Sequence, residues 1–361
     1  MKTISLCMIV KDEEYIIARC LDSVKDLVDE IIIVDTGSTD NTKSIVKKYT
    51  NNIYDFEWVD DFSKARNFSF SKASCDYILW LDADDVILPE DRKKFFNLKQ
   101  TLDGTVDMYQ MKYNYSLDNN GYPTLVQIRA RLLRREYGYT WVSPIHEVII
   151  PSGNIQVSDI AITHKKMEVK NPRRNLEIFE KMINNGIELD DRQFYTYAKE
   201  YYCLADYSKA KELYKSFIKK YEDNYNNVRS FIYYAILELA DCYKKLGYID
   251  KQKDTLFIIL KHEIPGSECC CKIADIFLEE KNYTIAKFWY ELAIQNSNGI
   301  NPQLAGDSNV DYNGYYPYIN LCVCYFYLGD KNKAFDYNEK AGKLKPNDET
   351  YLFNKKIFED S

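Results

Sequence analysis

The sequence predicts two fold classes in succession: an α/β domain on a mainly parallel sheet, then an all-α domain of repeated helical hairpins. Three observations carry this reading. From residue 1 to about 165, short apolar runs alternate with amphipathic stretches. From about residue 173 the strand-like runs stop, and helical periodicity continues onward. Within that second part, a spaced pattern of small and aromatic residues recurs four times.

Ile4 to Val10 is a continuous apolar run of strand length, followed directly by Lys11-Asp12-Glu13-Glu14. Ile17, Leu21, Val24 and Val28 then fall at helical spacing. Ile31 to Val34, Ile53 to Phe56 and Tyr77 to Leu81 are further strand-like runs, which gives a β-α-β-α-β order. Continuous apolar strands separated by amphipathic helices imply a parallel sheet covered on both faces, and such sheets bind ligands at the carboxyl ends of their strands. The polar clusters stand at those ends: Lys11 to Glu14, Asp35 to Asn41 and Asp82 to Asp85. Val106 to Tyr113 and Leu125 to Leu133 read as two more strands around the turn-like Asp118-Asn119-Asn120-Gly121.

In the second part, a small residue is followed three positions later by an aromatic and usually, nine positions after that, by alanine. The copies are Ala198/Tyr201/Ala210, Ala240/Tyr243/Gln252, Ala274/Phe277/Ala286 and Cys322/Tyr325/Ala334. The largest interval holds a polar insert, Ser297 to Gly314. The offsets resemble the tetratricopeptide repeat, in which small residues let two helices approach and an aromatic fills the gap. Stacked hairpins of that kind curve into a concave binding surface, a home for the 32 tyrosines, most of which lie beyond residue 190. A helical bundle with no binding role is the alternative. The junction is expected in Met167 to Arg174, ahead of Leu176, Phe179 and Ile183 at helical spacing, which gives domains at 1–170 and 171–361.

Composition narrows the function. With 48 Lys and Arg against 55 Asp and Glu, the net charge of −7 provides no footprint for nucleic acid. The opening apolar run is too short to span a bilayer and has no cleavage site, and no later run approaches transmembrane length, so a soluble, cytoplasmic protein is expected. The ten cysteines include the consecutive Cys269, Cys270 and Cys271 and read as reduced core residues. Cys322 and Cys324 lack a second pair at zinc spacing.

The sharpest chemical signal is Trp80-Leu81-Asp82-Ala83-Asp84-Asp85, a strand ending in three carboxylates. A carboxylate buried there needs a compensating cation, and carboxylate oxygens suit magnesium or manganese. A solvated turn before the helix at Pro89 accounts for Asp85 or Glu90, and less well for Asp82 and Asp84. The second signal is Val34-Asp35-Thr36-Gly37-Ser38-Thr39-Asp40-Asn41-Thr42, where Gly37 allows a tight turn and Ser38 to Asp40 supply helix caps. Neither a Walker loop nor a dinucleotide fingerprint is present.

Taken with Ile9-Val10-Lys11-Asp12-Glu13 and Ala65-Arg66-Asn67, these segments resemble glycosyltransferase family 2, enzymes of GT-A fold that use nucleotide-activated sugars. The resemblance runs from Ile4 to about Asp85 and, more weakly, to about His164. It implies that Val10, Asp12, Glu13 and Asp35 line the nucleoside pocket and that Arg66 approaches the nucleotide. It places Asp84 on a divalent ion, Mn2+ or Mg2+, with Asp82 and Ala83 completing the nucleotide and metal segment. Asp82 typically faces ribose or an ordered water. In Trp141-Val142-Ser143-Pro144-Ile145-His146-Glu147, which resembles the His-Glu segment of the subgroup with helical repeats, Glu147 is the first candidate base. His146 is the second, or else a diphosphate contact. His164 is a further metal or diphosphate ligand, against the alternative of a hydrogen-bonded histidine at a domain edge. Arg129, Arg131, Arg134 and Arg135 face an anionic substrate or decorate a solvated edge strand.

The expected function is a metal-dependent, inverting transfer of sugar from a nucleoside-diphosphate sugar, UDP-linked for preference, to an acceptor. A peptide or protein acceptor is favoured over a glycan because some relatives with this two-part arrangement glycosylate peptides, and homo-oligomerisation through the repeats is compatible with the pattern. The competing reading is an inactive nucleotide-sugar-binding scaffold whose repeats hold a protein. Nucleotidyl transfer is disfavoured because a basic glycine-rich loop after the first strand is missing.

Overall fold

The computed structural model describes residues 2–165, 171–297 and 308–359. Part of the expected junction, residues 166–170, and most of the polar insert, residues 298–307, lie outside them. The chain divides into two compact units, Met1–Tyr115 with Gln127–Ile187 and Ser116–Val126 with Glu188–Ser361.

In the first unit the strands are β1 (Ile4–Val10), β2 (Glu30–Asp35), β3 (Ile53–Asp55), β4 (Tyr77–Trp80), β5 (Asp85–Val86), β6 (Met108–Leu117), β7 (Pro123–Arg134) and β10 (Ile155–His164), with β8 (Trp141–Val142) and β9 (Val148–Ile149) pairing separately. The tip of the β6–β7 hairpin, residues 116–126, belongs to the second unit. The sheet order is β3-β2-β1-β4-β7-β6-β10-β5. β3, β2, β1 and β4 run parallel, as the β-α-β-α-β order predicts, and β7 runs antiparallel to β4.

β1 is apolar throughout because both its faces are covered. Ile4, Leu6, Met8 and Val10 pack with Ile17, Cys20, Leu21 and Val24 of α1 (Ile17–Val24). Cys7 turns the other way, onto Ile32, Ile78 and Phe70 of α3 (Phe62–Ser71), whose start is capped by the Asp61 side chain. The short α2 (Thr42–Val46) follows β2, and α4 (Pro89–Thr101) follows β5 with a proline in its first turn. α5 (Arg174–Asn184) completes the unit. Because Val10 pairs with Asp35 and Cys7 with Trp80, the residues after β1, β2 and β4 gather at one end of the sheet.

The second unit is a run of helical hairpins: α6 (Asp191–Cys203) with α7 (Tyr207–Tyr221), α8 (Arg229–Lys245) with α9 (Ile249–Phe257), α10 (Ser267–Glu279) with α11 (Tyr283–Gln295), and α12 (Tyr315–Tyr327) with α13 (Lys331–Leu344), then α14 (Glu349–Glu359). The repeated small residues Ala198, Ala210, Ala240, Ala274, Ala286 and Ala334 have no exposed surface. Among the described residues no helix is long and apolar enough to cross a membrane. Among the described residues no disulfide is formed, and eight of the ten cysteines are buried. Burial pushes the thiols of Cys270 and Cys324 up to about 12, consistent with inert core groups.

The repeated aromatic also marks the turn. In each hairpin its carbonyl accepts a hydrogen bond from the N–H five residues on: Asp206 to Tyr201, Tyr248 to Tyr243, Asn282 to Phe277 and Asp330 to Tyr325. This closure requires a left-handed residue just before the donor. Gly247 and Gly329 supply it freely, whereas Ala205 (φ 60°) and Lys281 (φ 58°) adopt it with a Cβ present. Ala205→Gly and Lys281→Gly should therefore each raise stability by about 0.5–1 kcal/mol, read from denaturant midpoints. A loss of stability would show that these turns carry no strain.

Candidate active site

Three loops meet at the carboxyl ends of β1, β2 and β4. The first two latch across each other: Asp12 N–H donates to Ser38 Oγ at 3.0 Å, Glu13 N–H to Thr42 Oγ1 at 2.7 Å, and Thr39 N–H to Asp12 Oδ1 at 2.7 Å. The Thr39 backbone bond holds the Asp12 carboxyl below its usual range, and Asp12 sits at φ 54°. Val10 uses its carbonyl for the Thr36 N–H, so of these residues it contributes backbone to the loop crossing. Asp35 is buried, and its Oδ1 accepts from Gly37 N–H at 3.0 Å and Ser38 N–H at 2.9 Å. That turn needs Gly37 at φ 102°. Asp35 Oδ2 is buried and has no hydrogen-bond partner among the described residues.

Arg66 projects from α3 into the space beyond β4. Its Nε donates to Glu147 Oε1 at 2.6 Å and its Nη2 to Asp82 Oδ1 at 2.8 Å. The guanidinium lies 5.0 Å from the Trp80 ring centre and 4.8 Å from that of Trp141. Burial alone would raise the Asp82 carboxyl, but the Arg66 and Arg131 charges prevail and hold it below its ordinary value. Glu147 and His146 lie on the β8–β9 connection, where Ser143 (φ 75°) and His146 (φ 50°) are both left-handed. The His146 ring stacks on Phe179 of α5, 6.0 Å between centres.

The strand end turns sharply after β4, with Asp85 N–H donating to the Asp82 carbonyl at 3.0 Å. The turn sends the acids apart. Asp82 faces Arg66, Ala83 is buried in the core, and Asp84 and Asp85 meet His164. The antiparallel register of β5 with β10 sets His164 opposite Asp85. His164 Nδ1 lies 3.3 Å from Asp84 Oδ1 and 3.9 Å from Asp85 Oδ1, and Tyr113 Oη is 3.0 Å from the same nitrogen. The ring is stacked on Tyr115, 5.3 Å between centres. Burial raises the Asp85 carboxyl despite its contact with Arg131.

Asp84, Asp85 and His164 each offer a ligand atom, all within 4.8 Å of one another. Among the described residues Asp85 Oδ1 has no hydrogen-bond partner. Two carboxylates and an imidazole, one oxygen of them buried and unsatisfied, fit a divalent cation. The sequence reading included Asp82 in this set, whereas Asp85 occupies that place in the structure. Asp85 was legible only as a turn residue. Arg131 was read as facing substrate or a solvated edge, yet β7 lies between β4 and β6 and Arg131 is fully buried.

Residues 5–153 match the family model described as glycosyl transferase family 2. These residues are a glycosyl transferase family 2 domain. A TPR repeat-containing protein of Synechococcus elongatus is 49% identical to this chain over 90 residues, 25% of this chain and 22% of that protein. The prophage-derived glycosyltransferase SunS of Bacillus subtilis is 27% identical over 277 residues, 73% of this chain and 64% of SunS. The chain thus spans less than two thirds of the length of either relative. A crystal structure of S. aureus TarS 1-349 in complex with UDP-GlcNAc aligns at 15% identity with a TM-score of 0.40, covering 73% of this chain and 93% of that one.

The Arg66 bridge yields a stability prediction for this family 2 domain. Arg66→Met strands Glu147, 11% exposed, and the half-buried Asp82. Removing one partner of a buried pair costs about 3–5 kcal/mol, and the partial exposure of Asp82 lowers the expected loss to about 2–4 kcal/mol. The triple variant Arg66→Met/Asp82→Asn/Glu147→Gln should recover most of it in denaturant titration. Equal stability of Arg66→Met and the native chain would show that the bridge holds nothing.

Proposed function

We propose that the chain is a metal-dependent, inverting glycosyltransferase that moves a sugar from a nucleoside-diphosphate sugar to a peptide or protein acceptor. A UDP-sugar is the first donor to test. The observation that carries the reading is the cluster of Asp84 and Asp85, inside the family 2 domain, with His164, just beyond it. The glycosyltransferase named SunS, similar over 277 residues, supports it.

In this reading Asp84, Asp85 and His164 hold Mn2+ or Mg2+, which supplies positive charge against the departing diphosphate. Asp35 Oδ2 accepts a hydrogen bond from the nucleoside, and the Val10, Asp12 and Glu13 segment shapes that pocket. Arg66 orients Glu147 through Oε1. Glu147 Oε2 takes the proton of the acceptor hydroxyl or thiol as that atom bonds to the anomeric carbon. The bond to the diphosphate oxygen breaks, and its electron pair leaves with the nucleotide. His146 stands beside Glu147 as the alternative base. The catalytic part is proposed for 1–170 and the acceptor-binding part for 171–361, with α5 belonging to the compact unit of the former and residues 116–126 to that of the latter.

Donor hydrolysis with added Mn2+ or Mg2+ tests this reading. Asp84→Ala should lose at least about a hundredfold in turnover, in line with several kcal/mol of charge stabilisation by a bound dication. Glu147→Gln should lose about 10²–10⁴-fold in transfer to acceptor. Turnover unchanged in Asp84→Ala would refute the metal role, and normal transfer by Glu147→Gln would move the base to His146.

The concave surface expected of stacked hairpins suits an extended peptide. With labelled donor, label should therefore appear in a peptide pool and not in oligosaccharides; the reverse would make the acceptor a glycan. The engagement of Glu147 by Arg66 is the observation that favours the scaffold reading. Calorimetry showing metal-dependent donor binding with no turnover on any acceptor would support it.

A further inference from the structure

Arg131, on β7, has no exposed surface, and neither does its partner Asp85. Its Nη1 donates to Asp85 Oδ2 at 2.9 Å and to the Trp80 carbonyl at 3.2 Å. The guanidinium lies 3.8 Å from the Trp80 ring centre and 4.5 Å from that of Tyr113. Trp80 cannot turn away, because its indole N–H donates to the Ala130 carbonyl at 2.6 Å. Arg131 is thus clamped between two aromatic rings, and it clamps Asp85 in turn.

Asp85 Oδ2 is used twice, by Arg131 and by the Asp82 N–H at 3.1 Å. Asp85 Oδ1 is left without a partner, 3.9 Å from His164 Nδ1. A carboxylate pinned by one oxygen presents the other in a fixed direction. A buried, unsatisfied oxygen is unfavourable unless a ligand meets it, and the neighbouring Asp84 and His164 are the groups that would share that ligand.

We propose that Arg131 is a positioning residue for the divalent cation, acting through Asp85, so that the ion's affinity depends on a side chain that never touches it. This rests on the reading of Asp84, Asp85 and His164 as the metal site. The sign of the effect separates positioning from simple electrostatics. Removing a positive charge near a dication should tighten binding if charge alone matters. Loss of the clamp should weaken it, since outer partners of metal ligands are commonly worth 10–100-fold in affinity.

The experiment measures Mn2+ alone binding to the full chain, with free Mn2+ read by electron paramagnetic resonance. Arg131→Met should weaken Mn2+ binding about tenfold or more, and Arg131→Lys should also weaken it by losing the flat guanidinium packed on the Trp80 and Tyr113 rings. Asp85→Asn should weaken binding, and adding Arg131→Met to Asp85→Asn should cost nothing further. Arg134→Met, on the same strand as Arg131 but paired with Asp107 just before β6, should bind as the native chain does. If Arg131→Met leaves Asp85 too destabilised to fold, Arg131→Lys and the double variant, which removes both charges, carry the test. Native or tighter binding by a folded Arg131 variant, or a double variant weaker than Asp85→Asn, overturns the proposal while leaving the metal site standing. No Mn2+ uptake by the native chain overturns the metal site and this inference together.

Discussion

The indole of Trp80 is met by two guanidiniums, Arg66 at 5.0 Å and Arg131 at 3.8 Å from its ring centre, and the arrangement of the strand end depends on those contacts. Three acids follow Trp80 within five residues. Left to themselves at the end of a buried strand, they would repel one another and shift toward their protonated forms. The two arginines divide them. Arg66 takes Asp82 toward Glu147, Arg131 takes one oxygen of Asp85, and Asp84 turns to His164. The cationic faces are also packed against apolar rings, so burial of the guanidiniums is partly offset by ring contact.

The sheet register makes this division possible. β4 runs parallel to β1, so its end joins the latch between Asp12 and the Ser38–Thr42 segment. β7 runs antiparallel to β4, which sets the buried Arg131 beside the last residues of that strand. β10 crosses from the far side to bring His164 against β5. The site is therefore assembled from strand ends that are distant in sequence, and a slip of one residue in either pairing would turn the side chains to opposite faces.

Much of this was legible in the sequence, and the reasons are specific. The parallel half of the sheet showed itself because β1, β2 and β4 are covered on both faces and read as unbroken apolar runs. The helical hairpins showed themselves because close helix approach favours small residues, Ala or Cys at every repeated contact but Gln252, and because one aromatic recurs where the turn closes. Asp84 and His164 stood out as acid and imidazole at strand ends. What stayed hidden was the choice of partners. The sequence explained Asp85 as a turn residue and grouped Asp82 with the metal set, and only tertiary placement of Arg66 and Arg131 sends Asp82 to an ion pair and leaves Asp85 with an open oxygen. Arg131 looked like an edge residue because alternating arginines usually are. The long excursion from β4 through residues 116–126 and back gave no hint that β7 would return to the centre of the sheet.

The tyrosines of the second unit follow the same rule of paired burial. A buried phenol must find an acceptor for its proton, and in these hairpins the acceptor is repeatedly a carboxylate. Tyr214 donates to Glu238 at 2.6 Å, Tyr290 to Asp275 at 2.5 Å and Tyr325 to Glu291 at 2.6 Å, while Tyr221 and Tyr225 donate to Asp191 and Glu263. Burial pushes the Asp275 carboxyl up, and the hydroxyls of Tyr290 and Tyr316 pull it back only in part. Tyrosine enrichment and acidity in this unit are thus linked features of one packing solution. Each ring packs in the interior of the hairpins, and each acid fixes the ring's polar end. A change at either position must be answered at the other, because a partly buried carboxylate that loses its donor is left poorly solvated.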